Sequence, residues 1–106
     1  MDLPKDLEER IVTTPADVYM RHYGLTSEGY DLKAIHVTSE ARLSPSDNLY
    51  QEMARIMGKR KIVAVTDVRI TEFGTKRAEL GGISMGHVTD GTMYGTAIVK
   101  RKTLRV

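Results

Sequence analysis

The chain has 106 residues, a net charge of +2, 41% hydrophobic residues, no cysteine, no tryptophan, one phenylalanine and five tyrosines. That is one small domain, and the absence of cysteine removes disulfide scaffolds, Cys-ligated zinc, iron–sulfur clusters and thiol catalysis. No stretch approaches the roughly 20 apolar residues of a membrane helix, and the acidic opening Met1-Asp2-Leu3-Pro4-Lys5-Asp6 leads into no apolar run of a signal peptide, so a soluble, cytoplasmic protein is expected.

In chain order, the first element is a short helix over residues 15–23. Thr14-Pro15-Ala16-Asp17 puts a hydroxyl at the N-cap, proline at the first helical position and a carboxylate in the first turn, and Gly24 supplies the stop. Residues 34–43 alternate, with Ile35, Val37, Ala41 and Leu43 against His36, Thr38, Glu40 and Arg42, the period of a half-buried strand. Ser44-Pro45-Ser46-Asp47 repeats the helix-start pattern and opens the main helix, residues 45–57, with Gly58 as its stop. Its apolar stripe is Leu49, Met53, Ile56 and Met57.

Next, Ile62-Val63-Ala64-Val65 is apolar on both faces and Thr66 to Ile70 alternates, which predicts a central strand covered twice in its first half. Residues 72–82 carry three glycines and no period, and read as a mobile loop or the site of a bound partner. Asp90-Gly91 between alternating residues is a hairpin signal; such a turn would set His87 opposite Tyr94 and Val88 opposite Met93. The competing reading is one long strand from Ile83 to Val99 with a bulge at Asp90-Gly91. Within this order, residues 1–33 form an N-terminal extension, 34–99 a β-α-β-β core and 100–106 a basic tail.

Chemistry-bearing residues are sparse. His22, His36 and His87 are isolated, with none of the pairings that hold a metal, and no metal or cofactor is expected. Met20, Met53, Met57, Met85 and Met93 offer thioethers, but Met53 and Met57 lie on the core stripe, where methionine is a filler. No serine lies next to a histidine or in G-x-S-x-G, and the glycines at 74, 81, 82 and 86 do not space as a phosphate loop. A non-enzymatic role is therefore preferred. Asp67, on an otherwise apolar strand, and the pair His87 and Tyr94 are the candidate ligand contacts; for Asp67, a pairing with an arginine or an exit of the strand into water is the preferred alternative.

The charge is unevenly distributed. Residues 1–58 hold six Lys/Arg against ten Asp/Glu, and residues 59–106 hold ten against four. A nucleic-acid face would use Lys59, Arg60, Lys61, Lys76, Arg77, Lys100, Arg101, Lys102 and Arg105. No aromatic lies within five residues of the clusters at 59–61 and 100–105, so basic side chains decorating strand ends, or meeting acidic surfaces within or between subunits, are preferred.

The helix Leu49-Tyr50-Gln51-Glu52-Met53-Ala54-Arg55-Ile56-Met57-Gly58, the strand Ile62-Val63-Ala64-Val65-Thr66-Asp67-Val68-Arg69-Ile70 and the closing Met93-Tyr94-Gly95-Thr96-Ala97-Ile98-Val99 resemble the YbjQ-like family over roughly residues 34–99. The resemblance implies a helix on a three-stranded antiparallel sheet, similar to dodecin in layout, and closed rings, with pentamers favoured. The family carries a heavy-metal-binding label, which gains no support from a chain without cysteine and with unpaired histidines. Basic Lys59-Arg60-Lys61 after the helix, the Asp90-Gly91 pair and the glycine-bearing loop depart from the family pattern. The expectation is an α+β domain with one main helix packed on a small antiparallel sheet and a short N-terminal helix. It would assemble as a homo-oligomeric ring binding a small ligand or ion between subunits, with nucleic-acid binding as the alternative.

Overall fold

The computed structural model describes residues 2–41, 46–80 and 83–101, with side chains described for 2–39, 47–71 and 91–101. A one-turn 3-10 helix, Leu7–Arg10, precedes helix α1 (Ala16–Tyr23), strand β1 (Tyr30–Ala41), helix α2 (Ser46–Arg60), strand β2 (Ile62–Leu80) and strand β3 (Ile83–Lys100). The class is the expected α+β, a β-α-β-β core with a short helix ahead of it. The strands form one antiparallel sheet in the order β1-β3-β2, so the last strand to appear in the chain occupies the centre. Val37 stands beside Met93 on one side of β3, and Val65 beside Ala97 on the other.

Successive residues of a strand face opposite sides, and the sheet has a core on each. The α2 stripe of Leu49, Met53 and Met57, all fully buried, packs with Val37, Val65, Met93 and Ala97. On the other face Tyr19 and Met20 of α1 pack with Ala64 and Ile98. The doubly apolar start of β2 is explained by this sandwich. The methionines at 53 and 57 are core filler, as their spacing predicts, and Met93 of β3 joins them.

The N-terminal segment seals one edge of the sheet. Ile11 bridges Val65 in parallel. The Val12 N–H donates to the Val65 carbonyl at 2.9 Å, and the Val68 N–H to the Val12 carbonyl at 3.1 Å. Ile11 is itself in the core. The strap occupies outer hydrogen-bonding groups of β2 over residues 65–68, which would otherwise be open to pairing.

Four local expectations are corrected. Helix α2 does not stop at Gly58 but runs to Arg60, and the chain reverses at Lys61 in the left-handed region, φ 56. The reversal falls there because Ile62, the next residue, must be delivered into the core. Residues 72–80 are not a loop; they continue β2, and register shifts at Phe73/Thr75 and Arg77/Glu79 break the two-residue period that marks a strand. Asp90-Gly91 is not a hairpin turn. Both lie inside β3, opposite Phe73 and Glu72 of β2, and β2 and β3 pair as far as Leu80–Ile83. Thr14 does not cap α1: Pro15 holds the N-cap position and no side chain of that turn bonds to the helix end. The Gly24 stop is as expected, with φ 69 and its N–H turned to the last carbonyls of α1. Ser44-Pro45 lies outside the described residues.

Candidate functional site

The sheet face turned away from α2 is covered by α1 at one end only. Its cross-strand rows are Leu32–Ile98–Ala64, then Ala34–Thr96–Thr66, His36–Tyr94–Arg69 and Thr38–Thr92–Thr71. The first row lies under α1, although Leu32 at its outer end remains 50% exposed. Tyr94 is 44% exposed at the centre of the third row, with the His36 ring 6.2 Å away, centroid to centroid, and Arg69 on the opposite flank. A phenol, an imidazole and a guanidinium in one row offer stacking surface, a titratable nitrogen and a fixed positive charge. Sequence reading singled out Tyr94 but gave His36 only a local role. Arg69 was missed, because the bulge between Thr66 and Arg69 hides which way it faces.

Of the three residues expected to make a ligand site, His87 is separated from Tyr94 along one strand and the Asp67 carboxylate is used elsewhere. His87 and Tyr94 are seven positions apart on the same strand, about 23 Å at 3.3 Å per residue, rather than across a turn from one another. His87 pairs with Arg77, and its side chain lies outside the described set. Asp67 sits in the β2 bulge with φ 54. Its N–H donates to the Thr14 carbonyl at 2.9 Å, and its Oδ2 accepts from the Ala16 N–H at 3.2 Å. The carboxylate is thus the N-terminal cap of α1, supplied from fifty-one residues away. Asp67→Ala removes this acceptor and leaves a β-carbon in the left-handed region; about 1–2 kcal/mol of stability is expected to be lost in thermal unfolding. Asp67→Asn, which keeps an acceptor and tolerates that region, is expected to cost a few tenths.

On α1 the Tyr19 and Tyr23 ring centroids are 4.6 Å apart, and His22 stands edge-on to Tyr23 at 4.7 Å. The Tyr19 hydroxyl is buried with no hydrogen-bond partner among the described residues. Burial pushes its pKa above the ordinary 10.0, with the neighbouring Tyr23 adding to the rise and Arg10 opposing it. The unfolded tyrosine therefore ionises first, so stability is level below pH 10 and falls as pH rises past it. Tyr19→Phe is expected to raise stability by about 1 kcal/mol, which is about 4–8 °C in Tm for a domain of this size, and to lessen that alkaline loss. Denaturation at pH 8 and pH 11 reads both.

The basic clusters divide between the two ends of the sheet. Lys59, Arg60 and Lys61 are exposed at the end of α2, and Lys100 is exposed on the adjoining strand end, next to the Val99–Ile62 pair. Arg101 is engaged by Asp31 at 2.8 and 3.0 Å. Lys76 and Arg77 lie on the far hairpin, thirteen β3 positions from Lys100 by the Arg77–His87 pairing, about 43 Å away. They do not form one face with the others. Lys102 and Arg105 lie outside the described residues. Among the described residues, no three of His, Asp or Glu gather as a metal site, and no helix is long and apolar enough to cross a membrane.

No family model matches the chain, and no curated protein does. Among solved structures, it is similar to a protein with unknown function of the DUF74 family from Pediococcus pentosaceus ATCC 25745. The likeness covers 86% of this chain and 96% of that one, at 18% identity and a TM-score of 0.43.

Proposed function

We propose that the protein is a non-enzymatic homo-oligomeric module that holds a small ligand or ion where its subunits meet. The observation that carries this reading is a sheet longer than anything covering it. The molecule extends 61 Å, with a radius of gyration of 16.9 Å, against about 13 Å for a compact domain of this length. Helix α2 has 15 residues and spans about 22 Å; α1, with 8 residues, spans about 12 Å. Among the described residues, β1 pairs as far as Ala41–Thr89, and β2 and β3 continue without it to Leu80–Ile83. A bare two-stranded hairpin is marginal in water. Together with exposed Leu32 and Tyr94, it supports cover supplied by other copies.

The resemblance to the YbjQ-like family favours a closed ring of five in the cytoplasm. Tyr94, with His36 and Arg69 in its row, is the ligand-contacting part. Asp67 leaves that set because its carboxylate is committed to α1, and His87 leaves it because it pairs with Arg77, seven β3 positions from Tyr94. Light scattering on the eluting peak tests the assembly: a multiple of 11.9 kDa is expected at micromolar concentration, and a particle of that mass alone overturns it. Tyr94→Asp, an exposed substitution that leaves both cores intact, is expected to shift the peak toward the single chain.

Nucleic-acid binding through the basic end is the second reading, since Lys59, Arg60, Lys61 and Lys100 do gather there. It requires retention on heparin that falls steeply with salt. Passage through heparin at about 50 mM salt removes it.

A further inference from the structure

The α2 face of the sheet has an apolar slot that the helix does not fill. Beyond Met57 the helix ends at Arg60, and the small Ala97 leaves a depression walled by Ile35, Ile62 and Val99. The space is about 170 Å³, room for five or six water-sized groups at about 30 Å³ each. It is smaller than the ~300 Å³ and upward of sites for drug-sized ligands. The other residues of its rim include two cations, Lys33 and Arg60, and among the described residues no carboxylate lines it.

The nearby acid is already taken. Asp31, two positions before Lys33 on the same face of β1, accepts both the Nε and Nη2 donors of Arg101. Among the described residues neither Lys33 nor Arg60 has an ion-pair partner. Exposed Lys59 and Lys61, the chain neighbours of Arg60, add positive charge at this end and oppose the partial negative charge of the helix end. A ligand suited to this place has one anionic head for the two cations and a short aliphatic part for the floor.

We propose that the slot binds a small organic anion of the short-chain carboxylate class, with the carboxylate at Arg60 and Lys33 and the alkyl part over Ala97. This site lies on the opposite face of the sheet from Tyr94 and does not depend on the assembly reading. Arg60 is the fork that can take a carboxylate in two parallel bonds, and Lys33 is a point charge beside it.

Calorimetric titration of the full chain with acetate, propanoate, butanoate and pentanoate tests the proposal. One site per chain is expected, with affinity rising up to ~4-fold per added methylene until the slot is full. Arg60→Gln is expected to weaken butanoate roughly 10-fold, and Arg60→Lys less, since a charge-assisted hydrogen bond is replaced or retained as a single contact. Both cations are exposed, so the variants should keep the wild-type Tm, which a parallel melt checks. Butan-1-ol, with the same tail and no charge, should bind at least 10-fold more weakly than butanoate. The proposal is overturned if butanoate gives no saturable heat, if inorganic phosphate binds as well as pentanoate, or if Arg60→Gln leaves affinity unchanged. Binding of long-chain anionic vesicles without binding of the free short acids would likewise refute it, in favour of a lipid surface.

Discussion

A single methyl group added at Gly95 is expected to remove about 2 kcal/mol of stability, near the middle of the 1–3 kcal/mol range for overpacked cores. Gly95 lies on β3 between Ile35 of β1 and the bulged stretch of β2. A β-carbon there would stand 2.4 Å from Val65 Cγ1 and 3.0 Å from the Thr66 carbonyl oxygen. The backbone oxygen cannot move without disturbing the ladder, and Val65 is fully buried with no free direction. The ordinary gain from restricting an unfolded glycine, about 0.4–1 kcal/mol, offsets only part of this. Urea unfolding of Gly95→Ala should show a lower midpoint at an unchanged slope. The double variant Gly95→Ala/Val65→Ala isolates the clash. Its cost should fall well below the sum of the single costs, because Val65→Ala clears the nearest atom. Additive costs would mean that the close approach is not what makes glycine necessary.

Met53→Ala is expected to cost about 3 kcal/mol, within the 2–5 kcal/mol range for such truncations. Met53 is fully buried in the same core as Leu49, Met57, Val37 and Met93. Its neighbours are held by a helix on one side and the central strand on the other, so they cannot collapse into the space left behind. Against a total of roughly 5–15 kcal/mol for a domain of this size, that is a large share. Met53→Leu preserves most of the volume and should cost less than about 1.5 kcal/mol. Val18→Ala, on the exposed side of α1, should change stability by no more than about 0.5 kcal/mol.

The parts of the fold that the sequence makes legible are those in which period and burial agree. The α2 stripe of Leu49, Met53 and Met57, the doubly covered opening of β2 and the Gly24 stop each follow from side-chain spacing or backbone preference alone. The hairpin was hidden for the opposite reason. Extra residues in β2 near Gly74 and in β3 near Met85 and Gly86 shift the pattern, and the glycines there look like loop residues when their partners are unknown. Asp90-Gly91 carries the chemistry of a tight turn, yet Glu40 and Ser39 of β1 and Phe73 and Glu72 of β2 flank it on both sides. Pairing on two edges outweighs a local turn preference.

The same limit applies to the candidate site. Tyr94 was singled out through a pairing with His87 across a turn that does not form, and the row it does share with His36 and Arg69 depends on registers between segments more than twenty residues apart. Asp67 stood out as a carboxylate among apolar residues, and its partner is a backbone amide, which no side-chain pattern reveals. Lys33 and Arg60, the cations of the apolar slot, lie in separate elements with no motif joining them.

Because β3 is both the third strand in chain order and the middle one in space, β1 and β2 never touch each other through the ladder and depend on it for every interstrand bond. In chain order, β1, the main helix and β2 all precede it, and the inward pairing groups of β1 and β2 stay unmatched until residues 83–100 are in place. Only then do the β2–β3 hairpin, which is close in sequence, and the remote β1–β3 ladder both become available. A chain cut before Ile83 would hold two strands whose inward edges have no centre to pair with.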